Sequence, residues 1–69
     1  MNLSLRALKR LLELAKEVQG SDLNLNSQGI ILGVLAQQHR SDLLEYRREV
    51  STADESDLIT TILGPNPSF

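Results

Sequence analysis

Apolar residues recur every three to four positions through the first twenty residues. Leu5, Leu8, Leu12 and Ala15 set the stripe, Gln19 continues it, and Leu11 and Val18 widen it. That is the period of a helix with one buried face. Arg6, Lys9, Arg10, Glu13, Lys16 and Glu17 fall mostly on the other side. The pattern predicts a first helix over residues 3–19, stopped by Gly20, which is free to take positive φ. The stretch "GSDLNLNSQG" then reads as a connection. Leu23 and Leu25 alternate with polar residues there and are expected to fold back over the core, with a short strand as the alternative. Asn26 or Ser27 is placed to cap the next helix.

A second helix is predicted over residues 27–49, and its halves differ. "SQGIILGVLAQQHR" crowds Ile30, Ile31, Leu32, Val34, Leu35 and Ala36 together, an apolar belt on nearly all sides. Beyond it, Leu43, Leu44, Tyr46 and Val50 alternate with Arg40, Asp42, Glu45, Arg47, Arg48 and Glu49 in an amphipathic pattern. Two textures in one helix imply two environments, the first covered by several neighbours and the second partly exposed. Ser51 with Asp54, or Thr52 with Glu55, has the spacing of a helix cap with an acidic partner. A short third helix follows over residues 53–63, with Leu58, Ile59, Ile62 and Leu63 as its apolar face and Gly64 and Pro65 as its stop. Asp54, Glu55 and Asp57 suit the positive end of its dipole. The expected fold is all-α: two long helices in a hairpin plus a short C-terminal helix, with residues 1–64 as one domain and 65–69 as a flexible tail in which Phe69 is the one candidate to dock.

A chain of 69 residues with one Phe, one Tyr, no Trp and no Cys has an aliphatic core and no covalent staple. Domains of this size bury only about 60% of the unfolded chain's surface, so a second copy is a natural source of further burial. The apolar belt points the same way. Gly29, Gly33 and Ala36 lie near one helix face, and small residues four apart let two backbones approach closely. A homodimer through Gly29, Ile30, Gly33, Val34 and Gln37 is therefore expected. The alternative is that Gly33 makes room for the first helix within one chain.

Catalytic chemistry finds little to work with. His39 is the single histidine, with Asp42 and Glu45 as its nearest acids, and one His with one Asp makes neither a metal site nor an acid–base pair. Ser41, His39 and Asp42 on successive turns of one helix cannot arrange nucleophile, base and orienter. No phosphate loop or metal-ligand spacing is present. No enzyme activity, cofactor or metal is expected. The segment "HRSDLLEYRREV" carries the residue types that anchor protein interfaces, and Arg40, Glu45, Tyr46 and Arg47 are its candidate partner-binding residues. A formal charge of −2 and a pI near 5.2 argue against a general nucleic-acid coat. Arg6, Lys9 and Arg10 still form a small basic face that nucleic acid would meet, unless Asp54, Glu55 and Asp57 lie near enough to neutralise it. The apolar run is too short to span a bilayer, and "MNLSLRALKR" lacks the pattern of a signal peptide, so a cytoplasmic location is expected.

Three resemblances bear on function. A helical pair doubled into a dimer resembles the plasmid copy-number Rop-type hairpins, which implies RNA binding through Arg6, Lys9 and Arg10; this chain lacks that family's regular heptads and adds a third helix. "NSQGIILGVLAQQHRSDLLEYRRE" resembles the second helix of the small sporulation aspartyl-phosphate phosphatases, but after Ser27 and Gln28 the chain has Gly29, Ile30 and Ile31 where that family's Glu-Leu-Asp belongs. In length and helical layout the whole chain is similar to small phage-encoded inhibitors of host regulators, the quorum-sensing anti-activators among them. That resemblance implies a protein acting in the host bacterial cytoplasm by binding, with a LuxR-type transcription activator and a pilus-assembly ATPase as its partners. The alternative is a nucleic-acid-binding regulator, Rop-like or with a helix-turn-helix built from the second and third helices.

Overall fold

The computed structural model describes residues 2–64, and these form four helices and no strand. The tail expected at 65–69, with Phe69, lies outside the described residues. Helix α1 spans Leu5–Gln19. The Ser4 hydroxyl accepts the Ala7 N–H at 3.1 Å and caps its start. Gly20 ends it at φ −90°, so this stop uses no left-handed backbone. The Gly20 N–H instead reaches back to the Lys16 carbonyl, and the Ser21 hydroxyl donates to the Val18 carbonyl at 2.7 Å.

Helix α2 spans Leu25–Gln38 and is capped by Asn24, not by Asn26 or Ser27. The Asn24 side-chain oxygen accepts the Ser27 N–H at 2.8 Å, and the Gln28 side chain folds back to donate to the Leu23 carbonyl at 2.8 Å. This earlier start puts Leu25 in the first helical turn, facing water at 83% exposure, with Leu23 also exposed. Neither leucine covers the core.

The long second helix expected over 27–49 is two helices. The backbone breaks at His39 (φ −126°, ψ 26°), and α3 runs over Arg40–Glu49. Helix α4 spans Ala53–Leu63 and packs on each of the other three. The break follows from that arrangement. A straight helix over 25–49 would be about 37 Å long at 1.5 Å per residue, against about 16 Å for α4. With the break, both α2 and α3 pack on that one short helix. Four helices around one core thus replace the expected hairpin with a third helix appended.

The cap of α4 is the Thr52–Glu55 pair. Glu55 N–H donates to the Thr52 hydroxyl at 3.2 Å, and Thr52 N–H donates to the Glu55 carboxylate at 3.0 Å. Gly64 ends α4 at φ +76°, the one left-handed backbone position among the described residues. The core is aliphatic with one ring. Leu8, Leu11, Leu12 and Ala15 come from α1, Leu32 and Ala36 from α2, Leu43 and Tyr46 from α3, and Leu58, Ile59 and Ile62 from α4.

Candidate functional site

Helix α2 turns only a narrow strip inward. Leu32 and Ala36 are its buried residues, and the opposite side carries Ile30 and Val34, 60% and 53% exposed. Ile31 flanks them and is also exposed. Five of the eight exposed large aliphatic residues fall between Leu23 and Val34. Single exposed leucines are ordinary on any protein surface, whereas a concentration on one element marks an interaction face. The helix also contains no charged residue from Leu25 to Gln38.

The glycines sharpen this picture. A Cβ added at Gly29 or Gly33 would meet no heavy atom of the chain within 4 Å. Room for α1 inside the chain therefore does not explain Gly33. Each glycine costs a helix interior about 1 kcal/mol relative to Ala, and β-branched Ile and Val are only middling helix formers. Helix α2 thus exposes residues that favour neither helix nor water. Of the expected dimer residues, Gly29, Ile30, Val34 and Gln37 are exposed and Gly33 is half-buried. Leu25 and Ile31 join the same helix's exposed apolar set. The signal that marks them in the sequence is the unbroken absence of charge between Asp22 and Arg40.

The four residues expected to anchor a partner do not form one open face. Tyr46 is fully buried and belongs to the core. Its hydroxyl donates to the Glu55 carboxylate, 2.9 Å from both oxygens. Leu43 and Tyr46 lie three residues apart on α3 and both belong to the core. Burial, followed by the bond to Glu55 and its charge, pushes the phenol pKa up to about 12. Arg47 is half-buried, and its guanidinium donates to the Thr60 hydroxyl at 3.0 Å, docking α3 on α4. Arg40 and Glu45 are half-buried as well. Tyr46 therefore belongs to the core and Arg47 makes a surface contact between α3 and α4, and what α3 offers to solvent is chiefly Ser41, Arg48 and Glu49.

The basic face of α1 is exposed but partly answered. Arg6, Lys9 and Arg10 line a shallow groove with Leu5 and Glu13, and Arg10 pairs with Glu13 at 3.1 Å. Lys9 also borders a second groove containing Lys16 and Glu55. The Thr52 N–H bond holds the Glu55 carboxyl below its ordinary range, and the charge of Lys9 adds to that effect.

His39 lies half-buried at the α2–α3 break, beside a small cleft shared with Asn2, Leu3, Gln38, Ser41 and Asp42. Asp42 does not serve His39 as a catalytic partner. Its carboxylate accepts the Asn2 N–H at 3.0 Å and the Leu3 N–H at 2.8 Å, pinning the N-terminal segment to α3. Those two bonds hold its pKa below the ordinary carboxylate value. Among the described residues no group of three His, Asp or Glu side chains is placed to hold a metal ion, and no helix is long and apolar enough to cross a membrane. No family model matches this chain, and neither a curated protein nor a solved structure matches it.

Proposed function

We propose that this chain is a small non-enzymatic regulator that binds and inhibits a host protein, and that it does so in the bacterial cytoplasm as a homodimer paired through α2. One observation carries the reading: α2 is a charge-free helix whose outward side is apolar, with glycines that its own fold does not require. A second copy supplies the missing cover and leaves α1, α3 and α4 to present charged surfaces to a partner. The resemblance to phage-encoded inhibitors of host regulators supports the same reading. It makes a LuxR-type activator and a pilus-assembly ATPase the first partners to try. Nucleic acid is the weaker alternative. The basic face is small and partly paired, and α4 opens with Asp54 and Glu55, which repel phosphate.

The test measures solution mass and partner binding together. The wild-type chain is expected to run as a dimer by light scattering, and Val34→Lys as a monomer that still folds. Purified partner candidates are then titrated with wild-type protein, and nuclease-treated lysate is screened in parallel for a stoichiometric protein whose activity the chain lowers. Binding recovered only with nucleic acid present, and lost on reversing Arg6, Lys9 and Arg10, would replace the reading with the nucleic-acid one.

A further inference from the structure

We infer that the two copies pair antiparallel along α2, with the twofold axis crossing the helix at the level of Leu32. The inference rests on the dimer reading above and adds the direction and register of the contact.

Leu32 is buried in its own chain's core. The side of α2 opposite Leu32 is therefore the outward one. At 3.6 residues per turn, residues two positions to either side of Leu32 point to that opposite side. These are Ile30 and Val34, the most exposed aliphatics of the helix after Leu25 in its first turn. Residues five positions to either side, Ser27 and Gln37, lie on the same side further out. A twofold axis at Leu32 that reverses the helix sets Ile30 beside the partner's Val34, and Ser27 beside the partner's Gln37. The middle of the seam is then aliphatic, and its ends are polar groups able to bond to each other. On the flanks, Ile31 faces its own copy on one side and Gly33 faces its own copy on the other. At Gly33 no atom of the chain lies within 4 Å of where a Cβ would stand, so that flank is open to the partner's backbone.

Extent and charge select the same arrangement. The midpoint of Leu25–Gln38 falls between Ile31 and Leu32, so this register overlaps both helices along nearly their full length of about 21 Å and buries the most surface. No charge sits in the seam to oppose self-pairing. The charged residues nearest its two ends are Asp22 before α2 and Arg40 after it. Reversal brings the Asp22 end of one copy to the Arg40 end of the other, whereas parallel pairing would put like charges together. Opposed helix dipoles add to that preference, because α2 has no acidic residue in its first turn and no basic one in its last.

Cysteine cross-linking reads the register directly, because the chain has no cysteine of its own. Ser27→Cys and Gln37→Cys change polar positions and leave the aliphatic seam intact. The two proteins, one carrying a mass tag, are mixed, equilibrated and treated with a mild thiol oxidant. A disulfide needs its Cα atoms within about 7 Å. Antiparallel pairing brings residue 27 to the partner's residue 37 and holds each residue about 15 Å along the axis from its own copy. The expected result is a mixed 27–37 disulfide as nearly the whole cross-linked product. Disulfides joining each variant to itself would show parallel pairing and overturn the inference while keeping the dimer. A dimeric mass with no cross-link would place the seam elsewhere and also overturn it. A monomeric wild-type mass would bring down the dimer reading itself.

Discussion

Removing one oxygen from Tyr46 separates a structural role from a partner-binding one. Tyr46→Phe keeps the buried ring and deletes the hydroxyl that lies 2.9 Å from both Glu55 oxygens. A hydrogen bond to a charged group contributes about 1.5–3 kcal/mol. Glu55 is half-exposed and keeps the Thr52 N–H at 3.0 Å, so water restores part of what the carboxylate loses. The expected loss is at the low end, about 1.5 kcal/mol. In a domain this size 1 kcal/mol moves the midpoint by about 4–8 °C, so thermal unfolding at fixed protein concentration should fall by roughly 6–12 °C. Tyr46→Ala is a poor substitute, because emptying an aromatic core site costs about 3–5 kcal/mol and threatens the fold. A double-mutant cycle with Glu55→Gln isolates the pair, and a coupling near 1 kcal/mol is expected for residues in direct contact. An unchanged midpoint with coupling below about 0.3 kcal/mol, accompanied by lost partner binding, would show that the hydroxyl faces a partner and would refute its placement in the core.

Other consequences are open to direct measurement. Because Tyr46 is the sole tyrosine and no tryptophan is present, an ultraviolet tyrosinate titration reports it alone; the midpoint should lie near 12 in the folded protein and near 10 after denaturation. Asp42 and Glu55 both have lowered folded pKa values, through the Asn2 and Leu3 bonds and through the Thr52 bond respectively. The unfolded chain therefore binds more protons at acid pH, so their stabilisation is complete above the ordinary carboxylate range of about 4 and is lost as pH falls through the folded values. Unfolding midpoints measured across that range should show a shallower acid limb in Asp42→Asn than in wild type, and an unaltered slope would mean that the N-terminal segment is not held by Asp42. Gly64→Ala forces a side chain onto φ +76° and should cost about 1–3 kcal/mol by denaturant unfolding, with no steric term because a Cβ there meets nothing within 4 Å.

The elements that were legible in the sequence are those whose signals are local. The Leu8, Leu11, Leu12 and Ala15 stripe repeats at helical spacing, and all four are buried. The Thr52–Glu55 spacing is a capping box and forms as one. The break at His39 has no local signal. Neither glycine nor proline stands there, and the bend goes with the packing of both α2 and α3 on one short neighbour. Asn24 outcompetes Asn26 and Ser27 as a cap because starting earlier also lets Gln28 tie down the loop, a choice made by two residues together. The burial of Tyr46 is hard to read from the sequence for a related reason. An aromatic residue among arginines suits a binding face and a core edge equally well, and only the position of α4 decides between them. The charge-free run of α2 was visible throughout, but whether its glycines served the chain's own packing was decided by the space around them.

Helix α2 also ties folding to pairing. With two glycines, three exposed β-branched side chains and no charged residue, it has little intrinsic helicity, and Leu32 and Ala36 are its only buried anchors. If a second copy covers its outer side, part of the stability that holds α2 helical comes from association. Stability then depends on protein concentration by mass action. A tenfold dilution costs a dimer about 1.4 kcal/mol at 25 °C, or roughly 0.7 kcal/mol for each chain. At about 4–8 °C per kcal/mol that lowers the unfolding midpoint by roughly 3–6 °C. Val34→Lys should abolish this dependence, and hydrogen exchange in the variant should accelerate in α2 while the amides of α1 and α4 keep more of their protection. A wild-type midpoint that stays fixed across a hundredfold range of concentration would show that α2 is stable without a second copy, and its apolar face would then belong wholly to some other partner.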